Sequence, residues 1–321
     1  MIKEKSEPVI EFLNVSKNYK EIEALKEASF SISKGDIFGY IGPNGAGKST
    51  TLKILVGLIR NHTGEVKING FTHKENPNVN RLIGYLPQDV GFQEWRTVDH
   101  ALVTFGLLSG MVREDLNNRI PEVLELVGLQ DARKRKIKHL SGGMKQKLKL
   151  AQAILHNPPI LVLDEPLSGL DPTSRWQLKN TIKSLSQTDV SILFSSHILE
   201  DVEGIATDIG IINHGQIVKV GNPQELRDEL TGGNVVNIVG INLAKKADIV
   251  RDLKFVQEVN TDPDDPNTLS IVLIPELNLD DCLLQLMDFF SSNEIVLSNF
   301  NYVRPTLEQV YLKYVMEGDS A

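Results

Sequence analysis

This 321-residue chain has no apolar run long enough to span a membrane. Its longest stretch free of Asp, Glu, Lys and Arg is the 15 residues from Leu230 to Ala244, interrupted by Thr231, Gly232, Gly233, Asn234 and Asn237. A span needs about 20 mainly apolar residues, so no bilayer-crossing helix is expected. Cysteine is nearly absent. Cys282 alone closes no internal disulfide and frames no zinc site, which makes a reducing cytoplasm the expected compartment. The first residues carry Lys3, Glu4, Lys5 and Glu7 where a secretory signal needs its apolar segment. No repeat of 20–50 residues and no low-complexity tract interrupts the chain.

What is there is a chain with 41% hydrophobic and 24% charged residues, enough to build a real core. The net charge is −8, unevenly spread: residues 228–321 hold 16 acids and 6 bases. Such an acidic tail repels phosphate backbones, so nucleic acid is not an expected partner. The run Arg133-Lys134-Arg135-Lys136-Ile137-Lys138 invites a nucleic-acid or lipid reading, but with the overall acidity a solvated basic face is the expectation; Trp95 and Trp176 read as packing residues.

Residues 36–41, 160–163 and 190–194 are continuous apolar runs, which suit strands covered on both faces of a sheet. Residues 97–156 read as helical, with Leu116, Ile120, Val123, Leu124 and Val127 on one face and Pro121 expected to kink or split that helix. The tail alternates strand (234–242), helix (244–253), strand (255–261), a turn at 263–267, strand (268–275), helix and a final element (295–303). That is the order of a ferredoxin-like split unit. Asn278 caps its second helix, whose expected buried face is Leu279, Leu283, Leu286, Met287 and Phe290. Thr306 and Gln309 form a capping box for a last helix burying Leu307, Val310, Tyr311, Tyr314 and Val315.

The chemistry concentrates in three places. Gly42-Pro43-Asn44-Gly45-Ala46-Gly47-Lys48-Ser49, followed by Thr50, has the G-x-x-x-x-G-K-S spacing of a phosphate loop. Glycines let backbone N–H groups turn toward a polyphosphate, Lys48 adds a cation, and the Ser49 hydroxyl suits Mg²⁺. A helix expected from Ser49 to Ile59 aims its positive end at the same anion. Ile160 to Leu163 then delivers Asp164 and Glu165 at a strand end, on a strand expected to neighbour the phosphate loop. Asp164 suits the metal and Glu165 the attacking water, although a strand ending in two acids can also be merely structural. Leu140-Ser141-Gly142-Gly143-Met144 opens a helix; alone it reads as an ordinary cap.

Together and in this order, these motifs resemble the ATP-binding cassette (ABC) family over roughly residues 8–225. The resemblance implies an α/β P-loop NTPase of ABC type (1–227) with a helical subdomain at about 97–156; the element order of the tail adds a small α+β ferredoxin-like domain (228–321). The resemblance also implies that Gln88 is the glutamine-loop residue contacting Mg²⁺, that Ser168 to Asp171 is the dimer-contact loop, and that His197 is the switch histidine on the γ-phosphate. Tyr19 falls where the family stacks an aromatic on adenine. By themselves Gln88, Asp171, His197 and Tyr19 also read as a loop amide, a helix cap, a strand-end histidine and a core tyrosine.

The implied protein is an ATPase using ATP and Mg²⁺. It would dimerise so that Ser141, Gly142 and Gly143 of one copy close the ATP site of the other. It would sit on the inner face of the membrane as the separate nucleotide-binding subunit of a transporter. The Gly84-Tyr85-Leu86-Pro87-Gln88 run and the ending from Arg304 to Leu312 are similar to drug-efflux-type exporter subunits. Residues 89–115, with Phe92, Trp95, Phe105 and Leu107, match the stretch that receives the permease. The competing expectation is a soluble ABC ATPase of translation or DNA maintenance. Against it stand the single phosphate loop and the short 92-residue interval from Lys48 to Leu140, too small for a long coiled-coil insertion.

Overall fold

The computed structural model describes residues 7–318 apart from 90, 231–233, 242, 262–264, 275, 304 and 305. The chain divides into two compact units, one running to Pro223 and including the last helical turn from Tyr314, the other Gln224–Lys313.

The first unit opens with a hairpin, β1 (Pro8–Tyr19) and β2 (Ile22–Ser33). Then come β3 (Ile37–Ile41), α1 (Lys48–Leu55), β4 (Thr63–Ile68) and β5 (Ile83–Leu86). β2, β1 and β4 form a three-stranded antiparallel sheet that is not among the expected elements. Repeated register shifts along β1, at Phe12/Val15 and Val15/Lys17, break the period-two pattern by which a strand is recognised. α1 begins one residue before the expected Ser49 and ends four before Ile59.

The helical subdomain holds α2 (Val98–Leu108), α3 (Arg113–Leu126) and α4 (Gly142–Ile154). α3 is one helix with Pro121 inside it, so the expected split does not occur. The carbonyl left without a donor, on Asn117, sits at an exposed residue where water can serve it. Leu116, Ile120, Val123 and Leu124 fill the buried face of α3 as expected.

β6 (Ile160–Leu163), α5 (Pro172–Ser186), β7 (Ser191–Ser196), α6 (Leu199–Val202), β8 (Asp208–Asn213) and β9 (Gln216–Gly221) complete the unit. The main sheet runs β5-β6-β7-β3-β8-β9, parallel except for β9. β6 therefore does not neighbour β3; β7 lies between them. The continuous burial of β3, β6 and β7 follows from coverage on both faces. Phe30 stacks between Phe12 (4.6 Å) and Tyr40 (5.6 Å), locking the two sheets into one core.

His156, just beyond α4, places its Nε2 3.2 Å from the Ile83 carbonyl and has a buried Nδ1 without a hydrogen-bond partner. Burial pushes its pKa down, with the Arg119 charge adding to the effect. As pH falls from about 7 to about 5 the unfolded chain takes up this proton first, so stability drops with acidification. His156→Gln keeps a donor for Ile83 and removes the titration. Thermal melts across that range should show a shallower loss for the variant than for the parent.

The second unit begins in α7 (Pro223–Leu230) and contains β10 (Asn234–Gly240), α8 (Ala247–Arg251), β11 (Val256–Thr261), β12 (Thr268–Leu273), α9 (Leu279–Ser292) and β13 (Leu297–Val303). Its antiparallel sheet is ordered β11-β12-β10-β13, the ferredoxin-like arrangement. Residues 242, 263, 264 and 275 of the expected strands and turn lie outside the described residues, as do Arg304 and Pro305. Asn278 caps α9 by accepting from the Asp281 N–H at 3.1 Å. On α9, Met287 is 53% exposed and Cys282 is buried instead. The inward stripe passes through 282, 286 and 290, and 287 falls beside it. α10 (Leu307–Gly318) starts in the expected capping box, the Thr306 N–H bonding Gln309 at 3.0 Å and the Gln309 N–H bonding Thr306 at 3.2 Å. Leu307 and Val310 are buried, whereas Tyr311, Tyr314 and Val315 are half-buried.

Candidate functional site

Three parallel strands, β3, β7 and β6, finish side by side, and the loops beyond them converge on a cleft of about 470 Å³. Asn44, Gly45, Gly47, Lys48, Ser49 and Thr50 line it, with Gln88, Glu165 and His197. Pro43 and Ala46 shape the turn from beneath, the Ala46 N–H bonding the Pro43 carbonyl at 3.2 Å. Gly47 has φ +109°, and a Cβ there would lie 2.5 Å from the Ala24 carbonyl oxygen. Only glycine fits both the angle and the space. Gly42 packs its α-carbon against the backbone of Ile212.

Lys48 donates to the carbonyls of Gly42 (2.8 Å) and Pro43 (3.0 Å) and lies 3.6 Å from the Glu165 carboxylate. Burial lowers its pKa, and Glu165 and Asp164 oppose that shift. Asp164 Oδ1 accepts from the Ser49 hydroxyl at 3.1 Å and from the Ser195 hydroxyl at 2.8 Å. Its Oδ2 is buried with no protein partner. A bare buried carboxylate oxygen is costly unless a cation or donor meets it. Asp164 and the Ser49 hydroxyl therefore fit a divalent cation such as Mg²⁺. No group of three or more His, Cys, Asp or Glu that could cage an ion occurs among the described residues. A cation here draws mainly on water and phosphate oxygens, as Mg²⁺ prefers.

Glu165 has φ +48°, in the left-handed region. Its N–H donates to Ser195 Oγ at 2.9 Å, and its carboxylate lies 3.0 Å from His197 Nδ1. Ser195 thus ties both acids to β7, spanning the strand that separates β6 from the phosphate loop. Motif reasoning overlooked it. The available signal was two hydroxyls, Ser195 and Ser196, ending an otherwise apolar buried strand.

Gln88 is exposed at the cleft, and Lys149 of α4 holds its carbonyl at 2.9 Å. Asp171 caps α5, accepting from the Ser174 N–H at 3.0 Å. Ser141 caps α4 by accepting from the Met144 N–H at 3.2 Å, and Gly143 lets Ser174 approach α4 closely. Ser141, Gly142 and Gly143 do not line the cleft of their own chain. Tyr19 ends β1, 44% exposed beneath the Lys17 ammonium (4.8 Å), and is also outside the cleft lining. Trp95 and Trp176, expected as packing, are 62% and 66% exposed.

A parallel sheet whose glycine loop opens a helix, with paired acids one strand beyond its neighbour, defines a nucleotide-hydrolysing P-loop protein. The family model for the ABC transporter matches residues 25–168. The chain is 33% identical over 303 residues to the linearmycin resistance ATP-binding protein LnrL of Bacillus subtilis (strain 168), covering 93% of this chain and 96% of that one. It is 34% identical to the Nod factor export ATP-binding protein I of Sinorhizobium fredii (strain NBRC 101917 / NGR234) over 77% of this chain and 72% of that one. A solved dimeric ATP-binding cassette in a post-hydrolysis state with ADP and phosphate superposes with a TM-score of 0.60. That cassette is 26% identical, over 66% of this chain and 98% of that one. The chain belongs to the ABC transporter ATP-binding proteins, and it is an ATPase subunit of that family. Among the described residues no helix is long and apolar enough to cross a membrane.

Proposed function

We propose that the cleft holds MgATP and that its hydrolysis drives export through a separately encoded permease on the cytoplasmic face of the membrane. The observation carrying this is the convergence of Lys48, Ser49, Glu165 and His197 on one cleft, with buried Asp164 hydrogen-bonded to Ser49 behind it. The loop amides of 42–49 and the start of α1 receive the phosphates, and Lys48 neutralises their charge. Asp164, Ser49 and the nearby Gln88 would hold Mg²⁺, which when bound screens the phosphate oxygens. Glu165 orients and deprotonates the attacking water, and His197, 3.0 Å from it, fixes its carboxylate and faces the γ-phosphate side. The likeness to a Nod factor export protein supports export.

Ser141, Gly142 and Gly143 find their use in a second copy. Their helix N-terminus, aimed at another anion, lets ATP bridge two protomers, and hydrolysis weakens the bridge. A dimeric solved relative supports this arrangement. Sedimentation of the protein with and without MgATP tests it: nucleotide-dependent dimerisation is expected, and a strict monomer with bound ATP overturns it. The domains keep the expected roles in this scheme, residues 1–227 as the ATPase and 228–321 as an accessory domain stabilising or regulating the dimer.

For the permease we propose the groove of about 480 Å³ between β5 and α2, lined by half-buried Tyr85, Phe105 and Gln152 and by exposed Leu108. Phe92 packs edge-on against Phe105 at 5.6 Å and supports its wall. Leu108 is 78% exposed. Leu108→Asp should weaken permease binding at least about tenfold while the ATPase rate of the isolated subunit stays at the parent value. Co-purification with the permease reads this out, and undiminished capture removes the groove from the interface.

A further inference from the structure

Residues 93–99 and 133–138 form a two-stranded ribbon on the helical subdomain. The Val98 N–H bonds the Arg135 carbonyl (3.1 Å), Asp99 N–H the Arg133 carbonyl (3.0 Å), Ile137 N–H the Arg96 carbonyl (2.9 Å) and Lys138 N–H the Glu94 carbonyl (3.0 Å). The ribbon holds six bases against two acids in a chain whose net charge is −8. Both acids are already engaged, Asp99 by Arg133 at 2.6 Å and Glu94 by Lys145 at 2.8 Å. Lys134, Arg135 and Lys136 are exposed and have no ion-pair partner among the described residues. Beside them stands Trp95, 62% exposed, with the Arg96 guanidinium over its ring at 5.0 Å.

We propose that this ribbon is a docking surface for the anionic phospholipid headgroups of a bilayer, a membrane contact separate from the permease groove. Charge complementarity selects the occupant. Unpaired cations kept within a few residues of one another lower the free energy of an anionic surface across a Debye length of about 10 Å. An exposed indole among them is the side chain that settles at headgroup depth, apolar ring inward and N–H toward water. A polyanion such as duplex nucleic acid would use the same cations and leave the indole without a role. The contact orients the subunit toward the membrane before or alongside permease binding.

The test uses the full chain with protein-free vesicles, so its failure leaves the permease proposal untouched. In a Trp176→Phe background Trp95 is the sole tryptophan, and excitation at the red edge of its band leaves the six tyrosines dark. Mixed phosphatidylglycerol and phosphatidylcholine vesicles should blue-shift its emission and sediment the protein, salt should reverse both, and pure phosphatidylcholine should do neither. Lys134→Ala, Arg135→Ala and Lys136→Ala together should weaken partition about 100-fold, with ATP turnover retained as the sign of an intact fold. Trp95→Ala with the lysines and arginine kept should weaken it further at high salt than at low. Equal binding to neutral vesicles, an unshifted Trp95, parent-like partition of the triple variant, or binding only to vesicles carrying a permease or only to DNA would each overturn the assignment.

Discussion

Glu165→Gln stops ATP turnover while leaving ATP binding and ATP-dependent dimerisation in place. The expected loss in rate is about 10²- to 10⁴-fold, the contribution of a positioned general base. The exchange keeps the side-chain shape, so the left-handed backbone at φ +48° and the Ser195 bond to its N–H are undisturbed. What disappears is the charge that now sits 3.6 Å from Lys48 and 3.0 Å from His197. With no carboxylate to draw it, Lys48 is free to serve phosphate alone, so ATP affinity should hold or rise. Single-turnover assays and sedimentation with ATP measure both effects. Full hydrolysis by the variant would falsify the role of Glu165.

Asp164→Asn is expected to lower Mg²⁺-dependent turnover by about 100-fold or more, a few kcal/mol of lost cation stabilisation. The amide oxygen can still accept from Ser49 (3.1 Å) and Ser195 (2.8 Å), so the fold survives. The amide nitrogen then occupies the place of Oδ2, the buried oxygen with no protein partner, and presents hydrogens where a cation needs a lone pair. ATP binding measured in the presence of a chelator should match the parent. Parent-like turnover in Mg²⁺ would place the metal elsewhere.

How much of this could be read in advance varied with range. The phosphate loop, the helix after it and the capping box at Thr306 are local devices, set by residues within one or two turns of each other. The ferredoxin-like order of the second unit was also legible, because six alternating elements admit few topologies. Met287 was misplaced because a stripe on a helix is uncertain by one position when apolar residues crowd, as they do from Leu283 to Phe290. Pro121 leaves its helix unsplit for a different reason: a missing N–H matters little where the orphaned carbonyl belongs to an exposed residue, Asn117.

Residue types and spacing were enough to specify the chemistry available, a glycine cradle with a lysine, a hydroxyl, two acids and a histidine, because each depends on its immediate neighbours. Only the folded sheet decided that Ser49 and Asp164, 115 positions apart, share a hydrogen bond, that β7, carrying Ser195, stands between their strands, and that the cations of 133–138 lie beside Trp95. Those meetings depend on which strands pair and which loops fold back. That choice is made by the burial of a whole core at once, and no short window of residues contains it.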